Sequence, residues 1–443
     1  MAAWILFFHA PPHPQPEERE QGLAQIALAA LAASLTLAAP SPHRGQAGSG
    51  RSGFPTAVYL LTNEANNAVV ALPVGADGTL SLGKVTGTGG AGANSIDGTS
   101  NQPAAPDALI GQSALTVAGN VRNPWVFHNP RLTTPKHLFA VNAGSNTLTM
   151  LSIDPQNPTQ LAMVGQPVNL PGEFPNTVAA SIRHRLVCVG TTGAANGVSS
   201  SRFSRNGLVG MDNLRSFGLK QSTPPVGPTN SVSQLFFSQD ESKLFATVKG
   251  DPATGNTGFF SAFSVIGHGR HQSASVSAQD VRSSPNGTAV LFGSANIPGT
   301  SSVFATDASF GAAILAVDPK SGQASLAAKQ AIDGQKATCW ATISPATSSA
   351  FVTDVGVNRL LEMSLEDASI LFITDLSANG DPGLIDLKAA GNFVYALSPG
   401  NGTTPASVSV LDVSGGQGSA KLFQHFALQG LGAGKNSQGM AVF

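Results

Sequence analysis

The chain has 443 residues, enough for two or three average domains or for one large repetitive domain. Charged residues make up only 11% of it, whereas glycine and proline number 49 and 29; ordinary soluble domains carry roughly 25% charged residues. This composition favours short strands joined by tight turns over long amphipathic helices, which need charged residues on their wet face. The net charge of −1, with no cluster of lysine and arginine, excludes nucleic acid as a partner.

The N-terminal region contains an apolar run over residues 23–37, followed by two alanines. This run is too short to span a bilayer but suits the core of a signal peptide. We therefore predict a signal peptide over residues 1–39, a flexible linker over residues 40–53, and secretion to the extracellular space. The acidic stretch at residues 17–20 differs from a positively charged start, which leaves open an upstream extension, or a helix docked on the domain. No other segment is apolar enough to enter a membrane.

A repeated hairpin pattern runs along the rest of the chain, residues 54–443. In each copy a short β-prone run leads to asparagine or aspartate, a polar turn follows, and a second β-prone run returns. Apolar and polar residues alternate with a period of two, as in half-buried strands. The clearest copies are residues 58–74, 138–154 and 350–364. Such repeats predict one domain built from similar small sheets.

A further strand precedes most of these hairpins and is predicted to form the inside of each blade. These inner strands are predicted at residues 125–129, 177–181, 234–238, 280–284, 340–344 and 384–388. The hairpin at residue 58 lacks such a strand, and the C-terminal run 437–443 supplies it. The predicted fold is an all-β, seven-bladed β-propeller closed by the C-terminal strand in the first blade. Residues 87–123 are predicted to be a polar insertion without periodicity.

Several segments resemble those of a known propeller family. They are residues 138–146 (LFAVNAGSN), 172–176 (GEFPN), 339–345 (CWATISP) and the paired runs 384–388 and 393–397 (LIDLK and FVYAL). Over about residues 57–443 the chain resembles the lactonase-type propellers, which include 6-phosphogluconolactonase and fungal 3-carboxymuconate-cyclizing enzymes. The resemblance implies seven blades and metal-free, cofactor-independent chemistry by basic and acidic side chains on a small organic acid.

Three charged residues stand out on the predicted inner strands, where charge is costly unless it is paired or reached by water. Arg282 could hold a substrate carboxylate in a bidentate grip, and Asp280 or Asp386 could move a proton. The alternative is that these side chains tie adjacent blades together by hydrogen bonds. His128, on another predicted inner strand, is a candidate general acid or base, or a histidine of the core. These four residues are the predicted catalytic residues.

Four further residues are predicted to bind substrate at the mouth of the central channel, where propellers bind ligands. Trp125, Gln234 and Trp340 share one equivalent position on the predicted inner strands. Glu173 lies on the face of the inter-blade loops. The two tryptophans would form an apolar wall for a ligand or, alternatively, pack in the core.

The remaining motifs point away from catalysis. Asn286 and Asn401 each begin an Asn-Gly-Thr sequon and are predicted glycosylation sites. Cys188 and Cys339 stand in separate apolar runs and are predicted to be buried thiols. The histidine pair at residues 268–271 (HGRH) has no carboxylate or cysteine companion nearby in sequence, so no metal site is predicted.

Three functions are compatible with these features. The first is a secreted enzyme, a lactone hydrolase or an intramolecular lyase acting as a cycloisomerase, that opens or forms a lactone on a small organic acid without a cofactor. The second is a cyclase or pericyclase of natural-product biosynthesis that holds an apolar substrate in an aromatic pocket. The third is a non-catalytic secreted binding protein or antigen, because a fold alone does not imply a function; a channel mouth blocked by side chains would favour it. The expected partner is a small-molecule substrate, and the expected state is a monomer.

Overall fold

The computed structural model describes residues 55–118, 136–267 and 274–443. The predicted signal peptide and linker lie outside the described residues, as do Trp125, His128 and the histidine pair at 268–271. The described residues form seven antiparallel sheets of four or five strands and one small parallel sheet. The predicted all-β, seven-bladed propeller is therefore confirmed. Within these ranges no helix has the length and apolar character needed to cross a membrane.

Each blade contributes one strand to each of four concentric layers, in order from blade 1 to blade 7. The innermost strands are Gln438–Val442, Leu115–Ala118, Pro175–Ser181, Val232–Phe237, Leu291–Asn296, Thr338–Ser344 and Leu387–Ala390. The second strands are Ala57–Leu61, His137–Asn142, Leu186–Thr191, Lys243–Val248, Val303–Asp307, Ser349–Asp354 and Phe393–Ser398. The third strands are Ala68–Pro73, Thr147–Ile153, Gly197–Ser204, Phe259–Ile266, Gly311–Val317, Arg359–Met363 and Ser407–Asp412. The outermost strands are Lys84–Gly87, Leu161–Met163, Gly207–Leu208, Ser275–Ser283, Ala324–Ala331, Ile370–Asp375 and Lys421–Ala427.

A few short elements lie outside these layers. Extra strands pair with the third strands of blades 2 and 3, and two further strands pair in parallel between the insertion and the loop that precedes blade 4. They are Val168–Asn169, Arg215–Ser216, Ile96–Asp97 and Val226–Gly227. Two single turns of 3₁₀ helix occur at Pro252–Thr254 and Ser377–Asn379.

The C-terminal strand closes the ring, as predicted. Gln438–Val442 pairs antiparallel with Ala57–Leu61, with Tyr59 opposite Ala441. Each innermost strand contacts the innermost strands of both neighbouring blades, and the closing strand contacts those of blades 2 and 7. The ring of blades is therefore continuous, with the C-terminal strand joining blade 1 to blades 2 and 7.

Burial changes from the centre of the ring outwards. Ala57–Leu61 is buried at every position, because the blades on both sides cover the two faces of a near-central strand. Ala324–Ala331, an outermost strand, alternates between buried or half-buried and exposed residues, because one of its faces meets solvent. Continuous apolar runs therefore mark the inner layers, and alternating runs mark the rim.

The predicted inner strand of blade 2, residues 125–129, lies outside the described residues. The innermost strand is Leu115–Ala118, which pairs with His137–Asn142 to complete the blade. Leu115 and Ala118 are buried while the residues between them are half-buried. The polar insertion, predicted over residues 87–123, therefore ends before this strand.

The predicted inner strand of blade 5, residues 280–284, is wrong. These positions fall at the end of Ser275–Ser283, the outermost strand of blade 4, which pairs with Phe259–Ile266. The innermost strand of blade 5 is Leu291–Asn296, whose first four residues are buried. Polar residues alternate along Ser275–Ser283 because one face of this strand is wet, which is the pattern of a rim strand. Asp280 and Arg282 therefore lie at the rim and not beside the channel.

Candidate functional site

The mouth of the central channel is occupied by a segment of the chain itself. Residues 107–113, named here the mouth segment, lead from the insertion into the innermost strand of blade 2. Gln112 N–H donates to the Ser233 carbonyl of blade 4 (2.8 Å), and the Ser113 carbonyl accepts from Val178 N–H of blade 3 (2.8 Å). The mouth segment thus pairs with backbone groups on the free inner edges of two blades.

Side chains extend these contacts across the channel. The Gln112 amide pairs with the backbone of Ala341 in blade 6, donating from Nε2 (2.8 Å) and accepting at Oε1 (3.2 Å). Gln438, on the closing strand, donates to the Gly111 carbonyl (2.7 Å) and accepts from Leu109 N–H (2.8 Å). Because these partners come from separate parts of the ring, the mouth segment closes the mouth and links the blades around it.

A buried lysine lies against the mouth segment. Lys249 directly follows the second strand of blade 4, is 1% exposed, and donates from Nζ to the Ile110 carbonyl (2.6 Å). Its ammonium lies 4.4 Å from the centre of the Phe292 ring, a favourable cation–π position. Asp107 is nearby and accepts at Oδ1 from Gln438 Nε2 (2.9 Å). The half-buried Asp107 and the buried Lys249 therefore lie in the same region of the closed mouth, without forming a direct ion pair.

Desolvation moves the pKa of both groups toward neutrality. It raises the pKa of Asp107 to about 6, and the positive charge of Lys249 opposes that rise. It lowers the pKa of Lys249 to about 8, and the negative charge of Asp107 opposes that fall. Burial also raises the pKa of the Cys339 thiol, with Asp107 adding to the effect. Neither Asp107 nor Lys249 is among the predicted site residues; their one signal in the sequence is the apolar run at residues 108–110 inside a polar insertion.

Two predicted substrate-binding residues pack against the mouth segment. Trp340 is fully buried, lies edge-to-face with Phe292 (4.9 Å between ring centres), and donates from Nε1 to the Gly111 carbonyl (3.3 Å). Gln234 accepts at Oε1 from Ser294 N–H in blade 5 (2.6 Å). Both side chains serve the packing of the closed mouth, which is the alternative considered for the tryptophan.

Asp386, a predicted catalytic residue, uses its carboxylate to bind backbone N–H groups of two blades. It is fully buried just before the innermost strand of blade 7, with a left-handed φ of 56°. Its carboxylate accepts from Leu387 N–H (2.9 Å) and from Met440 N–H of the closing strand (3.0 Å). Burial raises its pKa to about 6. The side chain joins blades 7 and 1, as the structural alternative expects.

Glu173 lies in the loop before blade 3 and is half-buried. Its carboxylate accepts a hydrogen bond from the Thr223 hydroxyl, and its backbone pairs with Gly193 and Ala195. This arrangement fastens two surface loops to each other.

Arg282 and Asp280 meet at the rim, where they tie two blades together. Arg282 Nε donates to Asp280 Oδ2 (2.8 Å), and its terminal nitrogens donate to the carbonyls of Ser216 (3.1 Å) and Phe217 (3.2 Å). The guanidinium also lies 4.6 Å from the centre of the Phe259 ring. Because residues 216 and 217 belong to blade 3, the contact is a bridge between blades 3 and 4.

A second arginine strengthens the same bridge. Arg215 pairs with Asp212 through both terminal nitrogens (3.0 and 2.8 Å) and donates to the backbone carbonyls of Ser277 (2.7 Å) and Val276 (2.9 Å). Only 12% of the Arg215 side chain is exposed, against 35% of the Asp212 side chain, so the guanidinium is the better shielded partner of the pair. Hydrogen bonds that involve two ionised groups are the strong ones in proteins.

Two pockets adjoin Arg282 at the rim. The first, of about 420 Å³, lies between blades 3 and 4 and is lined by Asp212, Asn213, Leu214, Arg215, Ser216, Phe263, Ala278, Gln279, Asp280 and Arg282. The second, of about 510 Å³, lies between blades 4 and 5 and is lined by Arg282, Ser283, Ala316, Val317, Asp318, Gln323, Ala324 and Ser325. The structure therefore places two open pockets at the rim, next to two of the predicted catalytic residues.

A serine, an aspartate and a histidine meet in blade 7 without forming a catalytic triad. Asp381 accepts from the Ser407 hydroxyl (3.0 Å) and contacts His425 Nε2 (3.0 Å). The aspartate stands between the other two, so the imidazole does not contact the hydroxyl whose proton it would remove in a triad. Over the described ranges, no group of three or more histidine, cysteine, aspartate or glutamate residues is arranged to hold a metal ion. Cys188 and Cys339 are both buried and free, as predicted.

Comparison with known proteins supports the fold. No protein-family profile matches the chain, and no curated protein matches it. Among solved structures, the periplasmic gluconolactonase of Pseudomonas aeruginosa is 14% identical with a TM-score of 0.58, over 87% of this chain and 99% of that one. A hypothetical selenium-binding protein of Sulfolobus tokodaii is 11% identical with a TM-score of 0.54, over 88% and 94%. These likenesses show that the chain shares the β-propeller fold of these proteins.

Proposed function

We propose that this chain is a secreted, non-catalytic binding protein built on a lactonase-type propeller. The observation that carries the proposal is the mouth segment, which fills the entrance where propellers usually hold their ligands. Its contacts reach innermost strands of blades 1, 3, 4 and 6 through Gln112, Ser113 and Gln438. A ligand would have to displace all of these hydrogen bonds before it reached the channel.

The bonding of the predicted catalytic residues agrees with this proposal. A general acid or base must reach a substrate proton within hydrogen-bond distance. Asp386 is fully buried and already bound to backbone N–H groups, and Arg282 with Asp280 bridges two blades. The free polar groups lie instead in the rim pockets, which suits recognition of a ligand from solvent.

The proposal of secretion rests on the sequence. The apolar run at residues 23–37 suits a signal peptide, and the asparagines of both sequons, Asn286 and Asn401, are exposed. Glycosylation at these two residues is part of the proposal.

A second candidate function is the opening or closing of a lactone. It is favoured by Asp107 and Lys249, whose pKa values near 6 and 8 suit proton transfer close to neutral pH. The likeness to a gluconolactonase over nearly all of that enzyme agrees with it. This activity would require the mouth segment to leave the channel. A pericyclase has less support, because aromatic side chains do not dominate the lining of either rim pocket.

A substrate screen separates the two candidates. Purified protein incubated with a panel of sugar lactones, aldonic acids and carboxymuconates is expected to convert none of them, as followed by mass spectrometry. The matched variants are Lys249→Met, which removes the base at the mouth, and Arg282→Ala, which alters the rim. Conversion by the wild type that is lost in Lys249→Met and kept in Arg282→Ala would overturn the binding-protein proposal and establish the enzyme.

A further inference from the structure

We infer that the rim pocket between blades 3 and 4 binds a neutral, polyhydroxylated ligand, such as a hexose unit of a glycan. The inference deepens the proposed function, on which it rests, by naming the place and the chemical class of the ligand. It follows from which polar groups of the pocket are already bonded and which are free.

One pair of residues in the pocket is fully used by the protein. All five N–H groups of the Arg215 guanidinium donate to protein oxygens, two of them to Asp212. Each carboxylate oxygen of Asp212 also accepts from Ser200, through its N–H (2.6 Å) and its hydroxyl (2.7 Å). This pair has no capacity left for a ligand. It holds the wall of the pocket in place.

A second set of side chains in the pocket has donors and acceptors that make no hydrogen bond within the described residues. Arg282 uses three of its five N–H groups, so that one on each terminal nitrogen remains. Asp280 accepts only at Oδ2, from Arg282 and from the Ser261 hydroxyl (2.7 Å), and its Oδ1 has no partner among the described residues. The exposed side-chain amides of Asn213 and Gln279 likewise make no hydrogen bond in the described part of the chain. The pocket thus offers donors and acceptors side by side.

This combination fits hydroxyl groups better than an ionised ligand. Each hydroxyl both donates and accepts, so neighbouring hydroxyls on a sugar ring can bind a carboxylate oxygen and a guanidinium or amide N–H together. The positive charge of Arg282 is already balanced by Asp280 at 2.8 Å, and that of Arg215 by Asp212 at 2.8 Å. A ligand carboxylate would approach the unpaired Asp280 oxygen and be repelled by it. The bidentate grip on a carboxylate, predicted for Arg282, is therefore disfavoured here.

The size of the site suits an extended ligand. At about 420 Å³ the first pocket lies within the range of small-molecule sites. The second pocket, about 510 Å³, lies on the other side of Arg282 and adds the exposed Gln323 amide, which makes no hydrogen bond in the described ranges. A chain of two or three sugar units could contact both pockets across the guanidinium, so a trisaccharide is expected to bind more tightly than a single unit.

Calorimetric titration of the full-length secreted protein tests the inference. The probes are the methyl glycosides of glucose, mannose and galactose, maltotriose, and glucuronate as an anionic counterpart of methyl glucoside. At least one neutral probe is expected to bind with a Kd on the order of 1 mM. Glucuronate is expected to bind at least about fivefold more weakly than methyl glucoside, because repulsion by Asp280 opposes it.

Three variants locate the site. Gln279→Ala and Asn213→Ala each remove one hydrogen-bonding amide and are expected to weaken binding about fivefold. Gln417→Ala removes an equally exposed amide from a turn of blade 7 and should leave the Kd unchanged. The inference is overturned if no neutral probe binds, if glucuronate binds more tightly than methyl glucoside, or if the pocket variants bind like the wild type. Failure of the proposed function gives a different result, which is conversion of a substrate that depends on Lys249.

Discussion

Removal of residues 438–443 is expected to abolish stable folding of the propeller. The lost strand contains Met440, which is fully buried, and pairs along its length with Ala57–Leu61. It also carries Gln438, which holds the mouth segment through three hydrogen bonds. Loss of this burial and of several hydrogen bonds should lower the free energy of unfolding by about 5 kcal/mol or more, most of the stability of an ordinary domain.

Thermal and urea unfolding of the truncated protein check this prediction. The single substitution Met440→Ala should cost about 2–4 kcal/mol, as a cavity left by a buried methionine does. Lys435→Ala, which changes an exposed side chain just before the closing strand, is the control and should leave the transition in place. A truncated protein with the melting temperature of the wild type would show that the ring does not depend on the C-terminal strand.

Replacement of Asp107 by alanine is expected to destabilise the fold by about 1–2 kcal/mol at pH 7, because it removes a negative charge that favours the ionised form of the buried Lys249 and an acceptor for Gln438 Nε2. The double variant Asp107→Ala/Lys249→Met should recover most of this loss, since it removes both charges. Unfolding in urea measures the three proteins side by side. If the Asp107→Ala variant is as stable as the wild type, the negative charge of Asp107 does not compensate the positive charge of Lys249.

The cost of Asp107→Ala should be largest between pH 6 and 8, where both groups are ionised in the wild type. Below about pH 6 the Asp107 carboxyl of the wild type binds a proton. The wild type then lacks the negative charge, as the Asp107→Ala variant does at every pH. The pKa of Lys249 is lowered on folding, so the penalty for burying its charge is fully present below pH 8. That penalty disappears as the pH rises toward the unfolded value of about 10.4. The loss of stability caused by Asp107→Ala, measured by unfolding at pH 5, 7 and 9.5, should therefore be largest at pH 7. A loss that does not change with pH would contradict this explanation.

The hairpins and the closing strand could be predicted because their signals are local. Residues 58–74 and 350–364 combine period-two alternation with a turn, and the structure has hairpins at both places. The closing strand follows from counting: one hairpin lacks an inner strand, and one apolar run, ending at Phe443, is unassigned. Local strand propensity and the need to pair every inner edge give the same result.

The position of a strand within its blade was harder to predict. Ser275–Ser283 and Leu291–Asn296 both precede a hairpin, and the distinction between a rim strand and an inner strand depends on burial by neighbouring blades. The charges of Asp280 and Arg282 therefore signal exposure at the rim, and not a costly burial beside the channel. Because this one strand is outermost and not innermost, Asp280 and Arg282 lie at the edge of the molecule and not beside the central channel.

The mouth segment could not be predicted from sequence, because its partners are distant in the chain. Gln112 bonds to a residue 229 positions away, and Gln438 to one 327 positions away. Neither glutamine belongs to a motif, and the insertion that carries the segment has no periodicity. Only the closed ring brings these residues to one place.

The reactivity of one thiol tests most directly whether the channel mouth is closed. In a Cys188→Ser variant the single remaining thiol is Cys339, which is buried close enough to Asp107 and Lys249 for their charges to act on it. If the mouth segment stays in place, an aromatic disulfide reagent should modify Cys339 in the native protein only as fast as the protein unfolds, and at once in denaturant. Rapid modification of the native protein, at a rate far above that of unfolding, would show that the mouth opens and would contradict the account.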